Sequence, residues 1–159
     1  MATRITILNG PNLNLLGVRE PQIYGTTTLA EIEDMCRKAA AVLNVSLSMH
    51  QSNHEGALVD LIHASRGTAD ALIINPAALS FTSISLFDAI KAFDGPCIEL
   101  HLSNIHARDI HHRHSKLSPA VTAVICGLGP YGYVLALQAA VDRLQSMPQT
   151  MPYALRGKA

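Results

Sequence analysis

Two pairs of residues in this chain have the types and spacing to move protons. Glu99 and His101 stand two apart in the apolar run CIELHL, Cys97 to Leu102. On a strand, side chains at i and i+2 leave the same face, so the carboxylate can orient the imidazole while the imidazole points into a site. The spacing makes either an acid–base dyad or a buried polar pair that satisfies only itself. Arg19 and Tyr24 form the second pair, in the segment REPQIY. A phenol titrates near pH ~10, so work as a base near neutrality requires a fall of roughly three units, or about 4 kcal/mol. A guanidinium ~4 Å away supplies about that much at an effective dielectric of ~20. The alternative is a solvated loop charge beside a tyrosine that anchors the loop.

Other groups suggest chemistries that their context disfavours. Gly127 to Gly132 reads G-x-G-x-x-G between a strand and a helix, the spacing of a dinucleotide-binding turn. It follows the last strand, so no later strand can carry the ribose-binding acid, and a tight turn into a closely packed helix is expected instead. His106, His111, His112 and His114 cluster without helix-borne ligand spacing or an accompanying Cys or Asp set, so no metal site is expected. Lys38, Lys91, Lys116 and Lys158 fall on charged faces or loops, which leaves no candidate for a Schiff base.

The elements that must position these groups alternate regularly. Ile5 to Leu8 is an apolar strand that stops at Asn9-Gly10-Pro11. The connection from there to Gly25 carries Asn12, Asn14, Arg19 and Tyr24. A connection of this length without structure of its own is expected to be a lid or binding loop. Thr26 to Thr28 open a helix over Leu29 to Leu43, whose apolar residues recur at helical spacing. Val45 to His50 alternates like a strand, residues 54–66 form a second helix, and Asp70 to Asn75 is a second continuous apolar strand. After Pro76, a helix begins between Ser80 and Ser85 and runs through Phe93 to Gly95-Pro96. Cys97 to Leu102, an irregular piece from Ser103 to Pro119, a strand from Val121 to Cys126 and a helix from Tyr131 to Met147 complete the chain. Five strand–helix alternations with near-continuously apolar strands predict a parallel five-stranded sheet covered on both faces, a flavodoxin-like three-layer sandwich. Ligands in such sheets bind beyond the carboxyl ends of the strands. The lid, Asn75, Ser103 and the Glu99–His101 pair all belong to that edge.

Residues 1–147 read as one domain and 148–159 as a tail without periodicity, an arm for an interface or for motion. Lys plus Arg equals Asp plus Glu at 12 each and no basic stripe appears, so nucleic acid is not an expected partner and a small polar ligand is. Charged residues are only 15% against 48% hydrophobic, a surface short of charge that predicts a homo-oligomer. Cys36, Cys97 and Cys126 are odd in number and form no C-x-x-C pair, which fits buried thiols in a reducing, cytoplasmic setting. No run reaches membrane-spanning length, and the amino terminus leads straight into a strand without a signal-like segment.

From about Ile5 to Met147 the chain resembles the type II 3-dehydroquinate dehydratases. The stretches that carry the resemblance are NGPNLNLLGVREPQIYG from Asn9, QSNHEG from Gln51, Asn75 to Ala78, ELHLS from Glu99, NIHAR from Asn104, His114-Ser115, Leu117 to Pro119 and Gly127 to Tyr133. The resemblance implies a flavodoxin-like subunit in a dodecamer built from trimers, needing no cofactor. It implies trans elimination of water from 3-dehydroquinate through an enolate, giving 3-dehydroshikimate. Tyr24 would be the base with Arg19 stabilising its phenolate, Asn12 would hold a water at the enolate oxygen, and His101, set by Glu99, would protonate the departing hydroxyl. The substrate carboxylate would rest on Ser103 and the backbone N–H groups of Leu102 and Ser103, with Asn75 on a ring hydroxyl. Asp88, which in the family reaches a neighbouring subunit's site, is present.

Two positions depart from the family pattern, Phe81 in place of a histidine and His112 in place of an arginine. Both family residues grip ring hydroxyls. Arg113 is no substitute, because one residue along a helical turn aims a side chain about 100° away. The departures leave three readings open: a retuned dehydroquinate dehydratase, an enzyme for a less hydroxylated relative, or a binder of a cyclic acid that does not turn it over.

Overall fold

The computed structural model describes residues 2–146, so the tail from 148 and Met147 lie outside the described residues. Five strands form one sheet: β1 (Thr3–Asn9), β2 (Val45–Gln51), β3 (Ala71–Asn75), β4 (Cys97–His101) and β5 (Ala123–Cys126). All pair in parallel, in the order β2-β1-β3-β4-β5, the flavodoxin-like arrangement that the strand–helix alternation predicts. The helices are α1 (Pro21–Tyr24), α2 (Leu29–Leu43), α3 (Glu55–Ser65), α4 (Ile84–Lys91) and α5 (Tyr131–Ser146).

The period of two along each central strand divides its side chains between two apolar layers. Ile5, Ile7, Ile73, Ile98 and Leu100 pack with Ile32 and Cys36 of α2 and Ala136 and Leu137 of α5. Leu8, Leu72, Ile74 and Cys97 pack on the opposite face with Leu58 and Ile62 of α3 and Leu86 and Ile90 of α4. β3 and β4 are buried throughout, whereas β2, at one edge, alternates between half-buried and exposed positions. Cys97 and Glu99 therefore leave β4 on the α3–α4 side. The register sets Asn9 of β1 opposite Asn75 of β3, so both strands end at the same level. Their exits then run in close contact: the Gly10 N–H donates to the Asn75 carbonyl at 2.8 Å, and a Cβ on Gly10 would meet the Pro76 oxygen at 2.4 Å.

Local chemistry shifts three of the expected boundaries. The connection after β1 is not structureless. It forms a 3-10 turn at Leu13–Leu15 and then α1, where Pro21 supplies a preset φ and the Tyr24 and Gly25 N–H groups donate to the Glu20 and Pro21 carbonyls. The segment after Pro76 coils as a 3-10 turn over Ala77–Phe81, and α4 starts only once the Ser83 hydroxyl caps it by accepting from the Leu86 N–H at 2.9 Å. β5 begins at Ala123 because Val121 closes the turn of Ser118–Ala120, its N–H donating to the Ser118 carbonyl. The opening of α2 is as expected: Thr28 accepts from the Glu31 N–H while the Glu31 carboxylate accepts from the Thr28 N–H at 2.7 Å, a capping box. The glycine-rich turn into α5 also behaves as read. Gly127 and Gly129 have positive φ, and a Cβ on Gly132 would come within 3.0 Å of Leu100. Among the described residues no helix is long and apolar enough to cross a membrane.

Candidate active site

The carboxyl ends of β1, β3 and β4 and the loops that leave them enclose a cavity of about 530 Å³. Asn12, Arg19, Tyr24, Asn75, Phe81, His101, Leu102, Ser103 and His112 all line it. Nine of the site residues expected from sequence thus converge, although they come from three separate crossings of the sheet. Glu99 lies one layer behind, in contact with His101. Asp88 does not line this cavity: it sits on the exposed side of α4.

The dyad has the geometry that its spacing predicts. His101 Nε2 is 2.7 Å from Glu99 Oε1, and the two side chains are 5% and 0% exposed. The second carboxylate oxygen accepts from the Ser118 hydroxyl at 2.7 Å. Burial pushes the Glu99 carboxyl upward, but hydrogen bonds from His101, Ser115 and Ser118 outweigh it and hold the group below its ordinary range. An ionised carboxylate can only accept, so the proton between the pair sits on Nε2, and Nδ1 is the ring nitrogen left to serve the cavity.

Two cations lie beside the Tyr24 ring. The Arg19 guanidinium carbon is 5.9 Å from the ring centroid and that of Arg108 is 5.7 Å away. Arg19 is half exposed and its guanidinium also pairs with Glu20 at 3.1 Å, so part of its field is spent there. Arg108 brings the second positive charge. Sequence reading gave Arg108 no role, although it closes the NIHAR stretch; the signal that could have found it was a second basic residue at the same sheet edge.

Among the described residues, three of the four non-glycine residues with positive φ, namely Asn12, Glu20 and Ala77, line this cavity. Each such conformation costs of order 1–3 kcal/mol and persists where the surroundings enforce it. Backbone strain therefore concentrates at the site.

Phe81 and His112, the two positions expected to depart from the family pattern, share one wall. The Phe81 ring lies 6.3 Å from that of His101, nearly parallel, and 5.2 Å from that of His112, edge-on. His112 Nδ1 is 2.7 Å from Asp109, whose carboxyl is held below its ordinary range chiefly by that hydrogen bond. Arg113 turns away and donates to the Arg108 carbonyl at 2.6 Å, so it does not stand in for His112. Among the described residues no three His, Cys, Asp or Glu side chains converge as a metal site would need.

Comparison with known proteins matches this geometry. The class II dehydroquinase family model aligns with residues 3–141. A relative from Verticillium alfalfae named catabolic 3-dehydroquinase is 52% identical over 145 residues, covering 91% of this chain and 97% of that protein. A 3-dehydroquinate dehydratase from Dinoroseobacter shibae is 50% identical, covering 93% of this chain and 99% of its own length. The crystal structure of a type II dehydroquinase from Propionibacterium acnes superposes with a TM-score of 0.86 at 41% identity, over 89% of this chain and 98% of that one. Sheet order, site geometry and similarity over nearly the full length agree: this chain belongs to the class II dehydroquinases.

Proposed function

We infer that this protein is a hydro-lyase that eliminates water from 3-dehydroquinate to give 3-dehydroshikimate. The observation that carries the reading is one cavity lined both by a tyrosine flanked by two guanidiniums and by a histidine fastened to a buried carboxylate. Tyr24, with the Arg19 and Arg108 guanidiniums beside its ring, acts as the base that takes the proton beside the ketone. The negative charge moves to the ketone oxygen, where a water held by Asn12 stabilises the enolate. His101, its Nε2–H held by Glu99, then gives a proton from its cavity-facing Nδ1 to the hydroxyl, which leaves as water while the ring double bond forms. Tyr24 has gained one proton and His101 has lost one, and exchange with solvent restores both.

Ser103 and the N–H groups of Leu102 and Ser103 hold the substrate carboxylate, and Asn75 holds a ring hydroxyl. Asp88, outward on α4, completes the site of a neighbouring subunit in an assembly of trimers, a dodecamer in the cytoplasm. Relatives carry both catabolic and unqualified dehydratase names, and the same chemistry serves quinate breakdown or aromatic biosynthesis.

Conversion is followed by the absorbance of the enone product. Tyr24→Phe should lower kcat roughly 10²–10⁴-fold with the fold intact, the range for loss of a general base. A near-normal rate in that variant refutes the base assignment. No product at high enzyme concentration, with clear stabilisation by 3-dehydroquinate, leaves a binding protein.

A further inference from the structure

Tyr133 has no part in the chemistry described above, yet it is fully buried beneath the site with its hydroxyl between two asparagines. The hydroxyl donates to Asn9 Oδ1 at 2.6 Å and accepts from Asn75 Nδ2 at 2.9 Å. Both ends of this chain of bonds are fixed by backbone groups that have only one role. The His50 carbonyl can only accept, so the Asn9 atom facing it at 3.2 Å is the NH₂. Asn9 must then offer its oxygen to Tyr133, and the one phenolic proton is committed. At the other end the Ala77 N–H can only donate, so the Asn75 atom facing it at 3.3 Å is Oδ1, which turns the NH₂ toward the free lone pair of Tyr133. Reversing any one amide would set donor against donor or acceptor against acceptor in a buried place.

We propose that Tyr133 is a positioning residue: with its proton given to Asn9, its hydroxyl locks the Asn75 amide so that the second N–H of Asn75 faces the cavity as a donor. Four elements take part, β2 through His50, β1 through Asn9, α5 through Tyr133 and β3 through Asn75. The group that meets Asn75 is an acceptor, a hydroxyl oxygen of the bound ring. This inference rests on the assigned reaction for its kinetic test and has a second test that does not.

Asn75 grips substrate away from the reacting carbons, so a loosened amide weakens ground state and transition state alike. Tyr133→Phe should therefore raise KM for 3-dehydroquinate roughly tenfold and leave kcat within about twofold, the scale of one hydrogen bond. On an Asn75→Ala background the same change should add nothing. Unchanged KM, a fall in kcat alone, or full additivity overturns the proposal. If Tyr133→Phe does not fold, Asn9→Ala frees the phenolic proton to turn toward Asn75 and must give the same KM effect. Independently of turnover, protein labelled with 3-fluorotyrosine should show a Tyr133 fluorine resonance, assigned by its loss in Tyr133→Phe, that shifts in both Asn9→Ala and Asn75→Ala. A resonance that moves in neither variant disproves the relay whatever the protein catalyses. Absence of wild-type conversion with both shifts present refutes only the assigned reaction.

Discussion

Phe81 and His112, the two positions where the sequence reading expects a departure from the family pattern, pack against each other in one wall of the cavity. A phenyl ring has no hydrogen-bonding group to strand, but a substrate hydroxyl facing it loses a partner, at a cost of ~1–3 kcal/mol. His112 is a shorter donor than an arginine and is already engaged with Asp109. Because the two rings lie 5.2 Å apart, they should be changed together, since effects of touching residues do not add. Phe81→His combined with His112→Arg should lower KM for 3-dehydroquinate about tenfold with kcat nearly unchanged, as expected when a ground-state grip is restored. Steady-state kinetics on single and double variants decides it, and an unchanged KM means that the ring hydroxyls are held elsewhere.

The short turn of Ser118–Ala120 braces the dyad from outside the sheet. Its Ser118 hydroxyl is one of the donors that keep Glu99 ionised in an apolar layer. Because the Glu99 carboxyl is lower in the folded than in the unfolded chain, its contribution is fully present above the unfolded value of ~4.3 and is lost as pH falls through the folded value. Ser118→Ala should therefore cost about 1–3 kcal/mol at pH 7, and that penalty should shrink below pH ~4. Denaturant unfolding of both proteins at the two pH values checks the sign; a penalty that does not depend on pH would mean that the serine only fills space. The crossing of the β1 and β3 exits makes a second demand on an element. Gly10→Ala would put a methyl against the Pro76 carbonyl, so it should destabilise by about 1–3 kcal/mol and raise KM by displacing Asn75. A melting curve and KM read both.

At the level of the whole molecule, the surface carries Ile84, Ile110, Leu128 and Tyr131 more than half exposed, in a chain only 15% charged. Such residues are covered at low cost by further copies of the chain. Asp88 lies outside its own cavity, which is where a residue serving a neighbour would be. Light scattering should give a mass of twelve times the 17.1 kDa of one chain, and a monomer at assay concentration would defeat both the assembly and the assignment of Asp88.

How far the sequence alone determines this protein follows from the range of the forces involved. Strand–helix alternation, the apolar strands and the i, i+2 spacing of Glu99 and His101 depend on local periodicity, so the sheet order and the dyad could be read before any coordinates. The pairing of Arg19 with Tyr24 was legible too, because the two stand five positions apart in one loop. Arg108 over the same ring, Ser118 on Glu99 and Tyr133 between Asn9 and Asn75 were not. Their partners lie 84, 19, 124 and 58 positions away along the chain, and only the packing of α5 and the β4 loops against the sheet brings them within a hydrogen bond or a ring's width. The turns inside the lid and before α4 were missed for a related reason: single prolines and capping hydroxyls decide them, below the resolution of hydrophobic periodicity. Tertiary structure alone decided which charges surround the phenol and which way the buried amides face, because both are settled by contacts between segments that share no local pattern.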